Sequence, residues 1–265
     1  MRRRLTAPAL LPGPALLLVP VLLLVPVLLL ASACGCDDRH TRSSFTDTSY
    51  GTGASRVWMF EPRDEPRAAV VFVHGAGDER ETTPYYHRPW LEHLARTGVA
   101  VAYPRYELYP GQPAALRHLE AGVRLAARKL PGRLPVVGIG YSRGGRLVFE
   151  WASQAKRTGL FPRAILSVFP SGQMDAIHNL RPLAGRTKVL ILSGDADRVV
   201  GTVGVAELVA QLAASGFPYD DVRHERIRSH GFFLATHGSV LQDDPAARRA
   251  YWARADRLIA GAVTP

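Results

Sequence analysis

The stretch Leu134–Ala152, LPVVGIGYSRGGRLVFEWA, decides the fold and locates the chemistry. An apolar run of β type enters a cluster of glycines that has Ser142 in its middle. Apolar residues at helical spacing follow the cluster, at Leu147, Val148 and Trp151. The pattern predicts a strand that turns sharply into a helix and presents one serine at the turn.

Two glycine-rich phosphate loops do not fit this turn. The dinucleotide pattern G-x-G-x-x-G needs a glycine where Arg143 stands, and the phosphate loop G-x-x-x-x-G-K-[ST] needs a lysine where Arg146 stands. G-x-S-x-G does fit, as Gly140-Tyr141-Ser142-Arg143-Gly144. Small residues two positions either side of the serine suit a strained, crowded turn that exposes the hydroxyl at a helix N-terminus. Ser142 is therefore a candidate nucleophile, and we expect no cofactor.

Apolar runs of β type alternate with longer helical patterns along the chain. The near-continuous apolar character of these runs predicts a mostly parallel sheet, doubly wound, with helices on both faces. In such α/β sheets the functional groups lie at the carboxyl ends of the strands. The runs lie at Val57–Phe60, Ala69–His74, Val99–Tyr103, Pro135–Gly140, Ala164–Phe169, Lys188–Ser193 and, more polar, Asp221–Arg228.

A serine nucleophile needs a base, and the base needs an acid that orients it. The stretch LILSGDADRVV places Asp195 and Asp197 after one apolar strand, and RIRSHGFF places His230 after the last one. We predict the triad Ser142, Asp197 and His230, with Asp195 as a turn-closing residue. His230 is preferred because Gly231 lets the loop bend, and His237 is the main rival. The order Ser, Asp, His is that of G-x-S-x-G hydrolases.

Acyl transfer also needs two N–H donors for the oxyanion. The residue after the nucleophile, Arg143, is predicted to supply one donor. The loop AVVFVHGAGDE after an earlier strand is predicted to supply the other, and we choose the N–H of Ala76. Gly75 and Gly77 keep this loop small, and His74 is interpreted as a residue that organises the loop by a hydrogen bond.

The motifs VHGAG, GYSRGG, GDADRVV and SHGFF together resemble the α/β-hydrolase superfamily over about residues 56–264. The resemblance is strongest to its small serine-esterase, dienelactone-hydrolase-like branch. It implies an oxyanion loop, a nucleophile elbow, an acid turn and a histidine loop, and hydrolysis of a carboxylic ester or thioester. Dienelactone hydrolases proper use cysteine as the nucleophile, so their substrate does not carry over to a chain with Ser142.

The segment PSGQMDAIHNLRPLAGRT is too short for a large cap, which predicts a fairly open pocket. Tyr85, Tyr141 and Phe232 are candidate pocket residues for a small or lipid-like ester. Two alternatives remain open at this point. One is an exported peptidase or acyltransferase that uses the same triad, and the other is a non-catalytic envelope binding protein on a hydrolase scaffold.

The amino-terminal segment predicts export. Three arginines precede a long uncharged apolar run, and LASAC resembles a bacterial lipobox with Cys34 as the lipidated residue. An uncleaved membrane anchor is the alternative, because the run is long enough to cross a bilayer. We predict a signal or anchor segment over 1–36, a polar tether over 37–55 and a catalytic domain over 56–265. The chain would then be tethered to the membrane of the cell envelope, with its catalytic domain outside the cytoplasm.

The remaining composition disfavours other function classes. Cys34 and Cys36 are the only cysteines, so the globular part has no disulfide and no cysteine metal site, and we expect no metal. The net charge of +10 comes mostly from arginines spread along the chain. A nucleic-acid binder would show a basic cluster with aromatic residues or a known binding motif. We therefore expect no nucleic-acid partner.

Overall fold

The computed structural model describes residues 44–106, 112–172 and 179–264. Its described part contains one sheet of eight strands in the order β1-β2-β4-β3-β5-β6-β7-β8. The strands are β1 Phe45–Tyr50, β2 Val57–Pro62, β3 Ala68–Val73, β4 Val99–Pro104, β5 Val136–Tyr141, β6 Pro162–Val168, β7 Lys188–Gly194 and β8 Val222–Ile227. β1 and β2 run antiparallel to their neighbours, and the other strands are parallel.

Helices cover both faces of this sheet. They are α1 Arg88–Arg96, α2 Gln112–Ala127, α3 Arg143–Ser153, α4 Val203–Ala214, α5 Pro245–Ala247 and α6 Ala253–Val263, with a π-helical turn at Arg248–Trp252 between the last two. The seven predicted strands are present, each within two residues of its predicted start and end. The predicted doubly wound, mostly parallel sheet is confirmed, and the connection between β6 and β7 is too short for a large cap.

Two apolar clusters, one on each face of the sheet, join the sheet to its helices. On one face, residues of α1 and α6 such as Leu91 and Ile259 pack against Phe72 and Val101. On the other face, α2, α3 and α4 pack against the sheet through residues such as Leu119 and Leu208. β3, β4 and β5 are buried along their whole length. Burial on both faces explains why these strands are continuously apolar in the sequence.

The structure differs from the sequence prediction at residues 45–50. The sequence predicts them as part of a polar tether, but they form the edge strand β1, paired with β2 from Phe45↔Pro62 to Tyr50↔Val57. Only Phe45 of this strand is buried. An edge strand with one apolar anchor and otherwise exposed polar side chains has the sequence pattern of a linker, because most of its pairing is made by backbone groups.

The predicted signal segment, Cys34 and residues 37–43 of the predicted tether lie outside the described residues. Within the parts that are described, no helix has the length and apolar character needed to cross a membrane.

Candidate active site

Ser142 lies at the sharp turn between β5 and α3. Its backbone has φ 55° and ψ −120°, a conformation that L-residues with a side chain rarely adopt. The Ser142 N–H donates to the Val168 carbonyl at 2.9 Å, which ties the turn to the end of β6. Strain of this kind costs roughly 1–3 kcal/mol and is concentrated at functional sites. The turn is therefore built and held as a nucleophile elbow would be.

The glycines beside the serine are required by close backbone contacts. A Cβ atom on Gly140 would lie 2.2 Å from the Gly144 carbonyl oxygen, and one on Gly144 would lie 2.1 Å from the Val73 carbonyl oxygen. Neither position tolerates even a methyl group without backbone movement. The second contact also brings the end of β3, where the predicted oxyanion loop begins, against the first turn of α3.

Ser142, His237 and Asp197 form a continuous hydrogen-bonded chain. The Ser142 Oγ lies 3.0 Å from His237 Nε2, and His237 Nδ1 lies 3.0 Å from Asp197 Oδ2. Because the carboxylate can only accept, Nδ1 carries the ring proton and Nε2 is left to accept the serine proton. This arrangement is that of a nucleophile, a base and an orienting acid.

Asp197 is itself fixed by the backbone of the loop that follows β7. Its side chain is fully buried, and its Oδ1 accepts N–H bonds from Val199 at 2.8 Å and Val200 at 3.2 Å. One carboxylate oxygen is thus used to hold the loop, and the other faces the imidazole. Two backbone donors keep the buried carboxylate oriented, as such a group requires.

Aromatic groups hold the His237 ring in place. Its ring centroid lies 5.1 Å from that of Tyr141 and 5.6 Å from that of Phe169. The Tyr141 hydroxyl donates to the His237 carbonyl at 3.1 Å. The sequence predicts Tyr141 as a pocket residue, and in the structure its side chain is buried and contacts His237.

The structure places a different histidine at the serine from the one predicted. His230 is exposed, its Nδ1 lies 3.2 Å from the Arg228 carbonyl oxygen, and it pairs with Phe233 in a β-bridge. The reason lies in the strand order. β8 is at the sheet edge, three strands from β5, or about 14 Å at the usual strand spacing. The chain needs several residues after β8 to return to the elbow, and His237 is the residue that arrives.

Asp195 has the structural role predicted for it. Both of its carboxylate oxygens accept the Ser229 N–H at 3.0 Å, and Oδ1 also accepts the Ser229 hydroxyl at 2.5 Å. The hydrogen bonds from Ser229 lower the pKa of Asp195. The Ser229 Oγ in turn accepts the Ala235 N–H at 3.0 Å. Asp195 therefore shapes the loop that carries His237 toward Ser142.

The loop after β3, predicted to supply an oxyanion donor, is held by His74 and Glu81. His74 is fully buried, and its Nδ1–H donates to the Gly75 carbonyl at 2.7 Å. Burial lowers the pKa of His74 to about 4. The Gly75 N–H donates to Glu81 Oε1 at 2.8 Å and is therefore engaged, whereas Ala76 is exposed at the surface of the loop. Arg143 begins α3, where first-turn N–H groups suit an anion.

The other predicted pocket residues lie at the surface. Tyr85 is 61% exposed, and its ring packs against Tyr86 and the Arg80 guanidinium. Phe232 is fully exposed on the loop between β8 and His237. In the described parts of the chain, no group of three or more histidine, cysteine, aspartate or glutamate side chains is arranged to hold a metal ion.

Sequence signals for the observed histidine do exist. His237 is followed by Gly238, just as His230 is followed by Gly231, so the glycine that favours one favours both. His237 also opens a short 3₁₀ turn, His237–Leu241. The sequence gives no sign of Glu81, whose carboxylate contacts the loop that is predicted to supply an oxyanion donor.

Comparison with known proteins finds solved structures of similar fold at low sequence identity. No protein-family model and no curated protein matches the chain. A solved α/β hydrolase, MGS-M1 from a Medee basin deep-sea metagenome library, is 13% identical with a TM-score of 0.61, covering 84% of this chain and 100% of its own. Esterase B from Lactobacillus rhamnosis, inhibited by a tributyrin phosphonate, is 15% identical with a TM-score of 0.63, covering 83% and 86%.

A bacterial heroin esterase is similar to the same extent. It is 16% identical, with a TM-score of 0.60, over 84% of this chain and 85% of its own. At such identities the likeness concerns the backbone fold and not the substrate. The strand order, the strained serine at the β5–α3 turn and these structural relatives lead to one conclusion: this chain has the α/β-hydrolase fold.

Proposed function

We propose that the protein is a serine hydrolase that cleaves carboxylic esters through an acyl-enzyme. The observation that carries the proposal is the continuous hydrogen-bonded chain from Ser142 through His237 to Asp197, with both links at 3.0 Å. A serine hydroxyl at its ordinary pKa is a weak nucleophile and needs such a base. The strained backbone at Ser142 supports the same role, since a strained turn between strand and helix is typical of a nucleophile elbow.

The reaction follows from these atoms. Ser142 Oγ attacks the ester carbonyl carbon while its proton passes to His237 Nε2, and Asp197 stabilises the imidazolium that forms. The carbonyl π electrons move to oxygen, and the Ala76 and Arg143 N–H groups hold this oxyanion. Collapse expels the alkoxide leaving group, which takes the proton from His237. A water molecule that gives its proton to His237 then attacks the acyl carbon. The bond from that carbon to Ser142 Oγ breaks, the acid leaves, and His237 returns the proton to Oγ.

Ala76 is favoured as a donor because its neighbour in the loop is already engaged. The neighbouring Gly75 N–H is already bound to Glu81, so it cannot also serve an oxyanion. The carbonyls of Val73 and His74 pack against Gly144, which keeps this loop beside the helix that begins with Arg143. The tetrahedral intermediate requires two such donors that converge on its oxyanion.

Esters are favoured as substrates by the structural relatives. Two of the three are named esterases, and esterase B of Lactobacillus rhamnosis was solved with a tributyrin phosphonate. We therefore propose a small-molecule or lipid-like ester as substrate. Comparing turnover of matched p-nitrophenyl ester, thioester and anilide substrates separates an esterase from a thioesterase or peptidase on the same triad.

Labelling with a fluorophosphonate tests the proposal directly. We expect the wild-type protein to be labelled on one serine, and Ser142→Ala to lose the label while it stays folded. His237→Ala is expected to lower kcat by roughly 10⁴-fold or more, as the loss of a triad base does. His230→Ala is the matched control and should change kcat by less than about threefold, because this residue is exposed and does not contact Ser142. Folded wild-type protein that fails to label would refute the proposal.

A further inference from the structure

Glu81 is a buried carboxylate that lies against the proposed oxyanion loop. The residue is only 3% exposed, and it lies four positions after Gly77. Its Oε1 accepts the Gly75 N–H at 2.8 Å and also lies 3.1 Å from His87 Nε2. Burying a carboxylate is costly unless donors compensate it, so its location needs an explanation. The mechanism above makes no use of this side chain.

The glycines of the oxyanion loop are shaped to fit Glu81. A Cβ atom on Gly77 would lie 2.8 Å from the Glu81 Cβ, and one on Gly75 would lie 3.1 Å from Glu81 Oε1. The loop backbone therefore lies directly against this side chain on both sides of Ala76. Movement of the carboxylate would move the two residues that flank the proposed oxyanion donor.

The other end of Glu81 is fixed to the rigid part of the fold. The Tyr103 hydroxyl, at the end of β4, donates to the Glu81 carbonyl at 2.7 Å. The His87 ring, which precedes α1, packs at 4.8 Å from Phe72 of β3. Both His87 and Tyr103 are buried. Glu81 thus links the oxyanion loop to two central strands and to the start of α1.

We propose that Glu81 is a positioning residue that sets the oxyanion hole by holding the Gly75 N–H, so that the Ala76 N–H faces the reacting carbonyl. This inference rests on the proposed function. The hydrogen bond, and not the negative charge, carries the effect. A carboxylate near the oxyanion hole would repel a developing oxyanion, so its charge by itself opposes the reaction. His87 Nε2–H offsets part of this cost as the second donor to the same oxygen.

Three substitutions separate the hydrogen bond from the charge. Glu81→Gln keeps the shape and an acceptor oxygen but removes the charge. Glu81→Asp keeps the charge but withdraws the carboxylate by one methylene, out of reach of the Gly75 N–H. Glu81→Ala removes both. Glu79→Ala is the matched control, since Glu79 is an exposed glutamate two residues away in the same segment.

Inactivation by paraoxon provides a readout that a merely structural role would not move. In this reaction the phosphoryl oxygen occupies the oxyanion hole as Ser142 Oγ attacks, so kinact depends on the hole and KI on initial binding. We expect Glu81→Asp and Glu81→Ala to lower kinact by about 10- to 100-fold, with KI changed by less than about threefold. We expect Glu81→Gln and Glu79→Ala to keep both constants within about threefold of wild type.

The inference is overturned if Glu81→Asp keeps the wild-type kinact, or if Glu81→Gln loses as much as Glu81→Ala. If Glu81→Ala does not fold, the comparison of Asp with Gln still decides, because these two variants fill most of the buried volume. The proposed function fails separately, if paraoxon does not react with Ser142 of the wild-type protein at all. If paraoxon reacts with Ser142 and kinact is the same in all three Glu81 variants, only the positioning role of Glu81 is refuted.

Discussion

At the residue scale, Ser142 has a backbone conformation that residues with a side chain disfavour, and contacts from its neighbours compensate for the cost of this strain. The Ser142 N–H donates to Val168, and Gly140 and Gly144 leave room for the backbone to cross at close range. The G-x-S-x-G pattern therefore encodes steric clearances as well as chemistry. This link from sequence to backbone could be predicted, because the forbidden contacts are local.

Adding a methyl group to the elbow tests these clearances. Gly144→Ala would place a Cβ 2.1 Å from the Val73 carbonyl oxygen, between two backbone segments that cannot both retreat. We expect the free energy of unfolding to fall by about 3 kcal/mol or more, measured by urea denaturation. Gly132→Ala is the control, because a Cβ there would have no atom within 4 Å, and it should stay within about 0.5 kcal/mol. Equal stabilities for the two variants would contradict the steric account.

His74 makes the stability of the fold depend on pH. Burial lowers its pKa from the ordinary value of 6.5 to about 4, so the unfolded chain binds a proton there at a higher pH than the folded one. The contribution of neutral His74 to the free energy of unfolding is therefore fully present above about pH 6.5, and it is lost as the pH falls toward 4. The difference between the two pKa values corresponds to roughly 3 kcal/mol.

The measurement is urea unfolding of wild type and His74→Gln at several pH values between about 7 and 4. The wild type is expected to lose stability across this range more steeply than the variant, by roughly 3 kcal/mol in total. Other carboxylates and histidines titrate in both proteins and cancel in the comparison. Parallel curves for the two proteins would show that His74 does not supply this pH dependence.

At the scale of elements, β1 is an edge strand whose polar sequence does not reveal that it belongs to the sheet. Its sequence FTDTSY lacks the apolar run that marks the other strands, and the strand extends the sheet by pairing with β2. Phe45 packs on Phe60 at 6.4 Å between ring centroids and lies under the Arg96 guanidinium at 5.0 Å. Asp47 adds an ion pair with Arg88 of α1 at 2.7 Å. These partners are distant in sequence, so local patterning could not identify them.

Phe45→Ala tests whether β1 belongs to the folded domain. Burial of the ring predicts a loss of about 3 kcal/mol in the free energy of unfolding, at the low end for phenylalanine because the site lies at the sheet edge. Esterase activity of the folded variant should stay within about twofold of wild type, because β1 lies four strands from β5. Thr48→Ala, at an exposed position of the same strand, is the control. If Phe45→Ala is as stable as wild type, residues 45–50 belong to the polar tether and not to the folded domain.

The histidine loop makes the same point about elements. The sequence pattern places the base directly after the last strand, whereas the structure brings His237 to the serine after a loop that first passes His230 and Phe233. Which residue arrives depends on the position of β8 in the sheet. Strand order is a tertiary property. The sequence could therefore predict that the base is a histidine that follows the aspartate along the chain, but not which of the histidines after β8 it is.

At the scale of the whole molecule, the apolar strands and the helical periodicity of the sequence were enough to predict the architecture. Strands covered on both faces must be apolar throughout, so they are visible in the sequence, and their alternation with helices predicts the doubly wound sheet. Side chains such as Glu81 escape notice for the opposite reason. A single carboxylate in a polar segment resembles a solvated surface residue until the fold closes around it.

The amino-terminal segment provides the last prediction, which is independent of the catalytic domain. The sequence LASAC leads us to propose that the chain is exported and lipidated at Cys34. In a bacterial host fed an azide-labelled fatty acid, the wild-type protein should carry the label and sediment with membranes. Cys34→Ser should lose the label, whereas Cys36→Ser, two residues away, should keep it. If wild type and Cys34→Ser are both unlabelled and both sediment with membranes, the result would instead support an uncleaved anchor, because an apolar helix of sufficient length needs no lipid.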